Sequence, residues 1–231
     1  MNIAIIPARG GSKRIPGKNI KNFHGLPVIA YAIKAAKESG VFSEVFVSTD
    51  SEEIAEIGRS FGATIPWLRS KDLSDDHATT ISVMQDTINK LKTRLSELEY
   101  ACCIYPATPL LQPSFISKGF QMLRDGNWDY VFSASRTDTP PERMFSLDSG
   151  NLVEMHSPEH QATRTQDFLP SYHDAGQFYF GRRSSWESGL QIFSGRSTIV
   201  EIPRELAVDI DTLDDWHYAE YLFEMQKRGL Q

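Results

Sequence analysis

With 231 residues, 40% hydrophobic and 23% charged, the chain has the composition of a soluble globular protein and the length to bury a sizeable core. The net charge of −6 argues against a nucleic-acid surface, and no apolar run approaches the roughly 18 residues that a membrane-spanning helix needs. The charge is uneven: no Asp or Glu precedes Glu38, so the first 37 residues carry +7 and the remainder −13, which suits a small polyanionic ligand better than a long polymer.

In chain order, "NIAII" (2–6) reads as a buried strand ending at Pro7, unlike the apolar stretch of a signal peptide. Pro27 opens an amphipathic helix stopped by Gly40, and "EVFVST" (44–49) is a second strand. Asp50 is the expected N-cap of the next helix, with Glu53 completing a capping box and Gly62 at its end. "TIPWL" (64–68) reads as a short strand, 77–97 as a longer helix, and "YACCIY" (100–105) as another buried strand. Its adjacent Cys102 and Cys103 suit neither a disulfide nor a zinc site and read as core thiols in a reducing cytoplasm. A helix is expected from Pro113 to about Asp125, then a strand at "DYVFSAS" (129–135). This alternation predicts a single α/β domain over 1–231, with a mainly parallel sheet and helices on both faces.

Periodicity fades between 137 and 175, where only a turn at 148–151 stands out; so long an irregular segment reads as functional or as an interaction arm. Strands resume at "QFYFG" (177–181) and "STIVEI" (197–202). A last helix over about 213–228 is capped by Thr212, with Asp215 three positions on.

The loop "IIPARGGSKRIPGKN" (5–19) carries the most chemistry. It misses the Walker A spacing, because Gly11 to Gly17 is one residue too long and Asn19 follows the lysine, and it contains no G-x-G-x-x-G. The logic of a phosphate site survives: Gly10 and Gly11 let backbone approach an anion, Ser12 can donate, and Arg9, Lys13, Arg14 and Lys18 neutralise charge. A solvated basic turn is the competing reading. Following the first strand, the loop falls at the carboxyl edge of the sheet, where open α/β folds bind ligands. In "VDID" (208–211), Asp209 and Asp211 share a face if extended and suit Mg²⁺, although Asp211 also suits the approach to a helix cap. Arg69, Thr79 and Thr80 read either as helix-cap surroundings or as groups facing a base or sugar edge. Tyr105 to Thr108 belongs to the same sheet edge as the first loop, while His173, Asp174 and Gln177 precede an aromatic strand that reads as core.

Together these stretches resemble the CMP–sialic acid synthetase family of cytidylyltransferases over roughly 3–135 and 164–225. "IIPARGGSKRIPGKNI" is similar to the family's amino-terminal signature nearly position for position, and "LRSKDLSDDHATT", "IYPATPL", "GQFY" and "VDID" follow in the family's order. The resemblance implies a three-layer α/β/α Rossmann-like nucleotidyltransferase domain, binding CTP and Mg²⁺ and working as a homodimer through a protruding arm at 137–175. By position it implies that Arg9, Gly10, Gly11, Ser12, Lys13, Lys18 and Asn19 hold the triphosphate and cytidine, with Arg69 and Thr80 as further nucleotide contacts. Asp209 and Asp211 would hold the metal, and Lys18, Arg9 and Asp211 would carry the catalysis.

Two departures bear on the sugar. Tyr105 stands where sialic acid synthetases usually have a sugar-contacting glutamine, and "DAGQFY" replaces Asn-Gly-Ala-Ile-Tyr. Both resemble the pseudaminic acid branch of the family, with Tyr105, Arg164, His173 and Gln177 as candidate sugar-binding residues. The implied reaction is attack of a nonulosonic acid's anomeric hydroxyl on the α-phosphorus of CTP, serving surface or flagellin glycosylation. N-acetylneuraminate or legionaminate is the alternative sugar, and a catalytically silent nucleotide-binding protein the alternative class.

Overall fold

The apolar run Asn2–Pro7 (β1) lies inside a six-stranded sheet with both faces covered, which is why it reads as continuous hydrophobic sequence and not as an alternation. The computed structural model describes residues 1–229, so the last two positions of the expected 1–231 domain lie outside the described residues. After β1 comes the basic loop, closed by a 3-10 turn at Lys18–Ile20 and a small ribbon of β2 (Asn22–Phe23) and β3 (Leu26–Pro27). There follow α1 (Val28–Glu38), β4 (Glu44–Ser48), α2 (Glu52–Ser60), α3 (Thr80–Leu91), β5 (Tyr100–Ile104), α4 (Pro113–Asp125) and β6 (Tyr130–Arg136). A hairpin of β7 (Phe145–Leu147) and β8 (Val153–Met155) precedes the long β9 (Tyr172–Arg182), and α5 (Arg183–Glu187), β10 (Ser197–Glu201) and α6 (Leu213–Lys227) complete the chain.

The sheet order is β10-β6-β9-β5-β1-β4. Its β1–β4, β1–β5 and β10–β6 pairs are parallel, while β9 is inserted antiparallel between β5 and β6. Helices α1, α2 and α4 cover one face through Ile33, Ile54 and Leu123; α3 and α5 cover the other through Met84, Ile88 and Trp186. This is the three-layer, mainly parallel architecture read from the alternating pattern. A third apolar cluster joins Ile15 of the basic loop to Leu110, Ile210 and Trp216, and so ties that loop to the segment leading into α6.

Several local expectations shift. The N-cap of α2 is Ser51, whose side chain accepts from Ile54 N–H, and not Asp50, which is drawn into a tertiary contact described below. "TIPWL" makes one isolated bridge, Phe46 to Thr64, because Pro66 has no N–H to continue a ladder. The helix expected over 77–97 runs only Thr80–Leu91; its start is delayed because the Asp75 carboxylate holds the His77 and Ala78 N–H groups in a turn ahead of it. Within 137–175 the expected turn at 148–151 forms the β7–β8 tip, with Asp148 Oδ1 accepting from Gly150 and Leu152 N–H. The capping box of Thr212 and Asp215 is present as read. Cys102 and Cys103 are free, fully buried core thiols whose ionisation burial pushes up.

Gly181 shows how tightly β9 is seated: a Cβ there would lie 2.5 Å from Trp186 Nε1 and 2.6 Å from Tyr130 Cε1. Trp186 is itself fully buried and donates to the Ala101 carbonyl at 3.0 Å, so it cannot easily withdraw. Gly181→Ala is therefore expected to destabilise the fold by about 1–3 kcal/mol, measured by chemical denaturation. An unchanged midpoint would show that the neighbouring rings have room to relax.

Candidate active site

The loop after β1 lies where β1, β4 and β5 all end, at the carboxyl edge of the parallel part of the sheet. Gly17 takes φ 63°, a conformation that favours glycine, and starts the 3-10 turn that aims Lys18 and Asn19 inward. Lys18 Nζ donates to the Ile210 carbonyl at 2.6 Å, and Asn19 Nδ2 donates to the Arg9 carbonyl at 2.9 Å. The loop is thus braced both to itself and to the VDID segment.

A cavity of about 610 Å³ opens against this loop, a size suited to a nucleotide-sized ligand. Arg9, Ser12, Lys13, Lys18, Asn19, Arg69, Thr80 and Tyr105 all line it. Gly10 and Gly11 do not, and the Gly10 N–H is not free for an anion. It donates to Asp50 Oδ1 at 2.8 Å, and a Cβ on Gly10 would meet Ser51 Cβ at 3.1 Å. Glycine at position 10 therefore serves the close approach of the loop to the start of α2.

The cations are met by carboxylates from two sides. Arg9 NH1 is 2.8 Å and Lys13 Nζ 2.5 Å from Asp76, which these two partners hold below the usual carboxylate range. Arg14 NH2 is 2.8 Å and Lys18 Nζ 3.5 Å from Asp211 Oδ1. Arg69 is buried, which pulls its guanidinium down, with Asp50 partly opposing the shift. Asp209 and Asp211 do not line the cavity; they stand behind Arg14 and Lys18, in a segment that is not a strand. Crowding away from water, then repulsion from Asp211 and Asp174, raises the Asp209 carboxyl above its ordinary value. Among the described residues no three His, Cys, Asp or Glu side chains converge as a metal-binding group.

A second cavity of about 200 Å³ adjoins the first, with Thr80 and Tyr105 shared between them and Asp174, Tyr179, Ile192 and Phe193 beyond. Tyr105 and Thr80 hydroxyls are 2.8 Å apart, and burial pushes the Tyr105 phenol up to about 12. Tyr179 donates to Asp174 Oδ2 at 2.5 Å. Thr79 also borders this second cavity, and its side chain caps α3, accepting from Ser82 N–H.

Three expected sugar contacts line neither cavity. Gln177 is 1% exposed, and its amide donates to the Leu206 carbonyl. The β6–β9 ladder slips between Phe132 and Ala134, where Ser133 Oγ accepts from both Gln177 and Phe178 N–H; Gln177 is buried at this bulge, its side-chain oxygen without a partner among the described residues. Arg164 is exposed on the segment between β8 and β9, and His173 is exposed on β9 opposite Ser135. Sequence reasoning missed Asp50, Asp76 and Tyr179 as site residues. Asp76 and Tyr179 sat in stretches already singled out, but nothing local marked Asp76 as the partner of Arg9 and Lys13, 67 and 63 residues away.

A family model described as Cytidylyltransferase matches residues 3–228. The chain belongs to the cytidylyltransferase family. Among curated relatives of this cytidylyltransferase, the pseudaminic acid cytidylyltransferase of Campylobacter jejuni is 40% identical over 224 residues, 97% of each chain. The Helicobacter pylori protein named pseudaminic acid cytidylyltransferase and UDP-2,4-diacetamido-2,4,6-trideoxy-beta-L-altropyranose hydrolase is 42% identical over 201 residues, covering 87% of this chain and 38% of that one. In fold it is similar to a CMP:2-keto-3-deoxy-manno-octonic acid synthetase solved with CTP, at TM-score 0.72 and 17% identity over 97% of this chain and 99% of that one. It is an enzyme of the nucleotidyltransferase type, with a Rossmann-like mixed sheet. No helix among the described residues is long and apolar enough to cross a membrane.

The raised Asp209 carboxyl has a pH signature. Its proton is held more tightly in the folded chain than in the unfolded one, so its contribution favours the folded state at low pH and is lost as pH rises above the ordinary value of 3.8. Asp209→Asn removes that loss. In metal-free buffer the variant should gain melting temperature relative to the wild type as pH goes from about 4 to about 7. A difference that stays flat or falls across that range would mean that Asp209 is not under such strain.

Proposed function

We propose that this cytidylyltransferase activates pseudaminic acid. The sugar's anomeric hydroxyl attacks the α-phosphorus of CTP in line: an O–P bond to the sugar forms, the hydroxyl proton passes to solvent, and the bond from the α-phosphorus to the bridging oxygen breaks with diphosphate leaving. The observation that carries the reading is the adjacency of the two cavities: one walled by the cationic loop, the other aromatic and acidic, with Tyr105 and Thr80 at their junction. The 40% identity to the Campylobacter jejuni enzyme over nearly the whole of both chains supports this sugar class.

Arg9, Lys13 and Lys18 neutralise the triphosphate, and Ser12 donates to it; positioning and charge neutralisation are the main catalytic work of such a transfer. Asn19 has a buried side-chain oxygen with no partner, an acceptor for a donor on the nucleotide, and Arg69 and Thr80 complete that wall. Tyr105, Asp174 and Tyr179 offer hydroxyl and carboxylate partners to a sugar with two acylamino groups, and Ile192 and Phe193 offer apolar contact to the acyl methyls.

Asp209 and Asp211 fit Mg²⁺. Both supply hard oxygen donors, and a cation there would offset the two largest causes that raise Asp209, its burial first and then the repulsion from Asp211. With two protein carboxylates, the ion's remaining positions suit phosphate oxygens and water; when bound, it would supply charge neutralisation at the phosphates. Asp211 would then exchange its present contacts with Arg14 and Lys18 for the metal, freeing those cations for the nucleotide.

A homodimer belongs to the same reading. Phe145, Leu147, Leu152, Val153 and Leu169 are all more than half exposed on 137–175, an apolar surface suited to a second copy of the chain. Arg164 and His173, exposed on the same segment and at its return, would then serve the neighbouring site.

Diphosphate release is to be measured with CTP, Mg²⁺ and purified pseudaminic acid, N-acetylneuraminate and legionaminate. Pseudaminic acid should give the highest kcat/KM; preference for another sugar would overturn the substrate, and no release with any of them the enzymatic reading. Asp211→Asn should lower kcat on the order of 10²-fold or more, the scale of losing one charge-stabilising group, without changing the melting temperature. Phe145→Glu combined with Leu152→Glu should halve the solution mass in light scattering; an unchanged mass would remove this surface from the interface.

A further inference from the structure

Asp76 faces the basic loop from the opposite wall of the larger cavity. Its two carboxylate oxygens are divided between two loop cations, Oδ1 with Arg9 at 2.8 Å and Oδ2 with Lys13 at 2.5 Å. Arg9 also donates to the neighbouring Asp75 carbonyl at 2.9 Å. The position of Asp76 is built: Asp75 Oδ1 accepts from both His77 and Ala78 N–H at 2.9 Å, and the buried Arg69 donates to Ser74 Oγ at 3.2 Å. A planar anion presenting separate oxygens to a guanidinium and an ammonium occupies the place that phosphate oxygens would take.

We propose that Asp76 is an exchangeable counter-anion which competes with phosphate for Arg9 and Lys13, and so sets how tightly the loop holds a polyphosphate and how readily it releases diphosphate. Asp76 touches no reacting atom; it is a specificity-determining residue. The strength of the contact fits exchange: Lys13 is 78% and Asp76 44% exposed, and ion pairs so open to water are individually weak. A ligand carrying several charges displaces such a carboxylate, whereas the single phosphodiester charge of a CMP-sugar does not. When diphosphate leaves, Asp76 returns to the cations and opposes its rebinding. The identity of the polyphosphate as CTP rests on the proposed function, but the competition itself does not.

The test is calorimetric titration of diphosphate alone, and separately of CTP, into wild type and Asp76→Asn, with thermal melts to confirm that both are folded. Asp76→Asn should bind diphosphate about 5-fold more tightly at low salt. The gain should shrink as ionic strength rises, and diphosphate should inhibit turnover more strongly. In a Lys13→Met background the gain from Asp76→Asn should diminish, since one of the two competed cations is gone. Should Asp76→Asn destabilise the loop, Asp76→Ser serves as the second variant with the same expectation. Equal or weaker diphosphate binding in a folded variant overturns the inference and makes Asp76 a support for Arg9. If the wild type binds diphosphate but not CTP, the nucleotide reading fails while the diphosphate comparison still decides the role of Asp76.

Discussion

Four cationic side chains between Arg9 and Lys18 repel one another, and no acidic residue lies in that part of the sequence to balance them. The fold answers by bringing carboxylates from far along the chain, Asp76 against Arg9 and Lys13, and Asp211 against Arg14 and Lys18. Asp76 lies in the wall of the larger cavity, and Asp211 outside it, behind Arg14 and Lys18. The two carboxylates offset part of the charge of the four cations, so binding a polyanion includes an exchange of counter-ions and is not simple neutralisation of a bare basic patch.

The sheet makes that arrangement possible. Three parallel strands end together and set the loop at their carboxyl edge, while the antiparallel β9 brings Asp174 and Tyr179 to the adjoining cavity. The bulge opposite Ser133 separates neighbours on β9: Gln177 is committed to Leu206, and Tyr179 faces the Tyr105 side. Ile15, Ile210 and Trp216 share one apolar cluster, so loop and VDID segment are held by packing as well as by the Lys18 to Ile210 hydrogen bond. Gly176, at φ 61°, lies where a Cβ would come within 3.1 Å of the Asp209 carboxyl carbon, which brings β9 close behind the acidic pair.

Much of the fold was legible because it depends on short-range rules. Buried parallel strands such as Asn2–Pro7 advertise themselves as unbroken apolar runs, the turn at 148–151 follows from Asp148 bonding its own neighbours, and Thr212 with Asp215 closes a cap within four residues. Local rules failed where two residues were equally qualified or where a distant partner decided. Asp50 and Ser51 are both good caps, and only the Gly10 N–H, forty residues away, selects between them. The first three residues of β9, Tyr172–Asp174, are exposed and show no strand period, yet β6 pairs with them down to Tyr172.

For the site, sequence alone determined the chemical character of the loop. Its glycines, prolines and cations specify a phosphate-type turn, and its order of residues marks the nucleotidyltransferase family. Composition and spacing are local properties, and a single loop carries them. Which N–H groups remain free, which carboxylates face the cations, and which of Tyr105, Gln177 and Tyr179 border a cavity were decided only by tertiary structure. Those outcomes depend on distances between residues far apart in the chain, and they are fixed by strand register and by packing around Trp216 and Trp186.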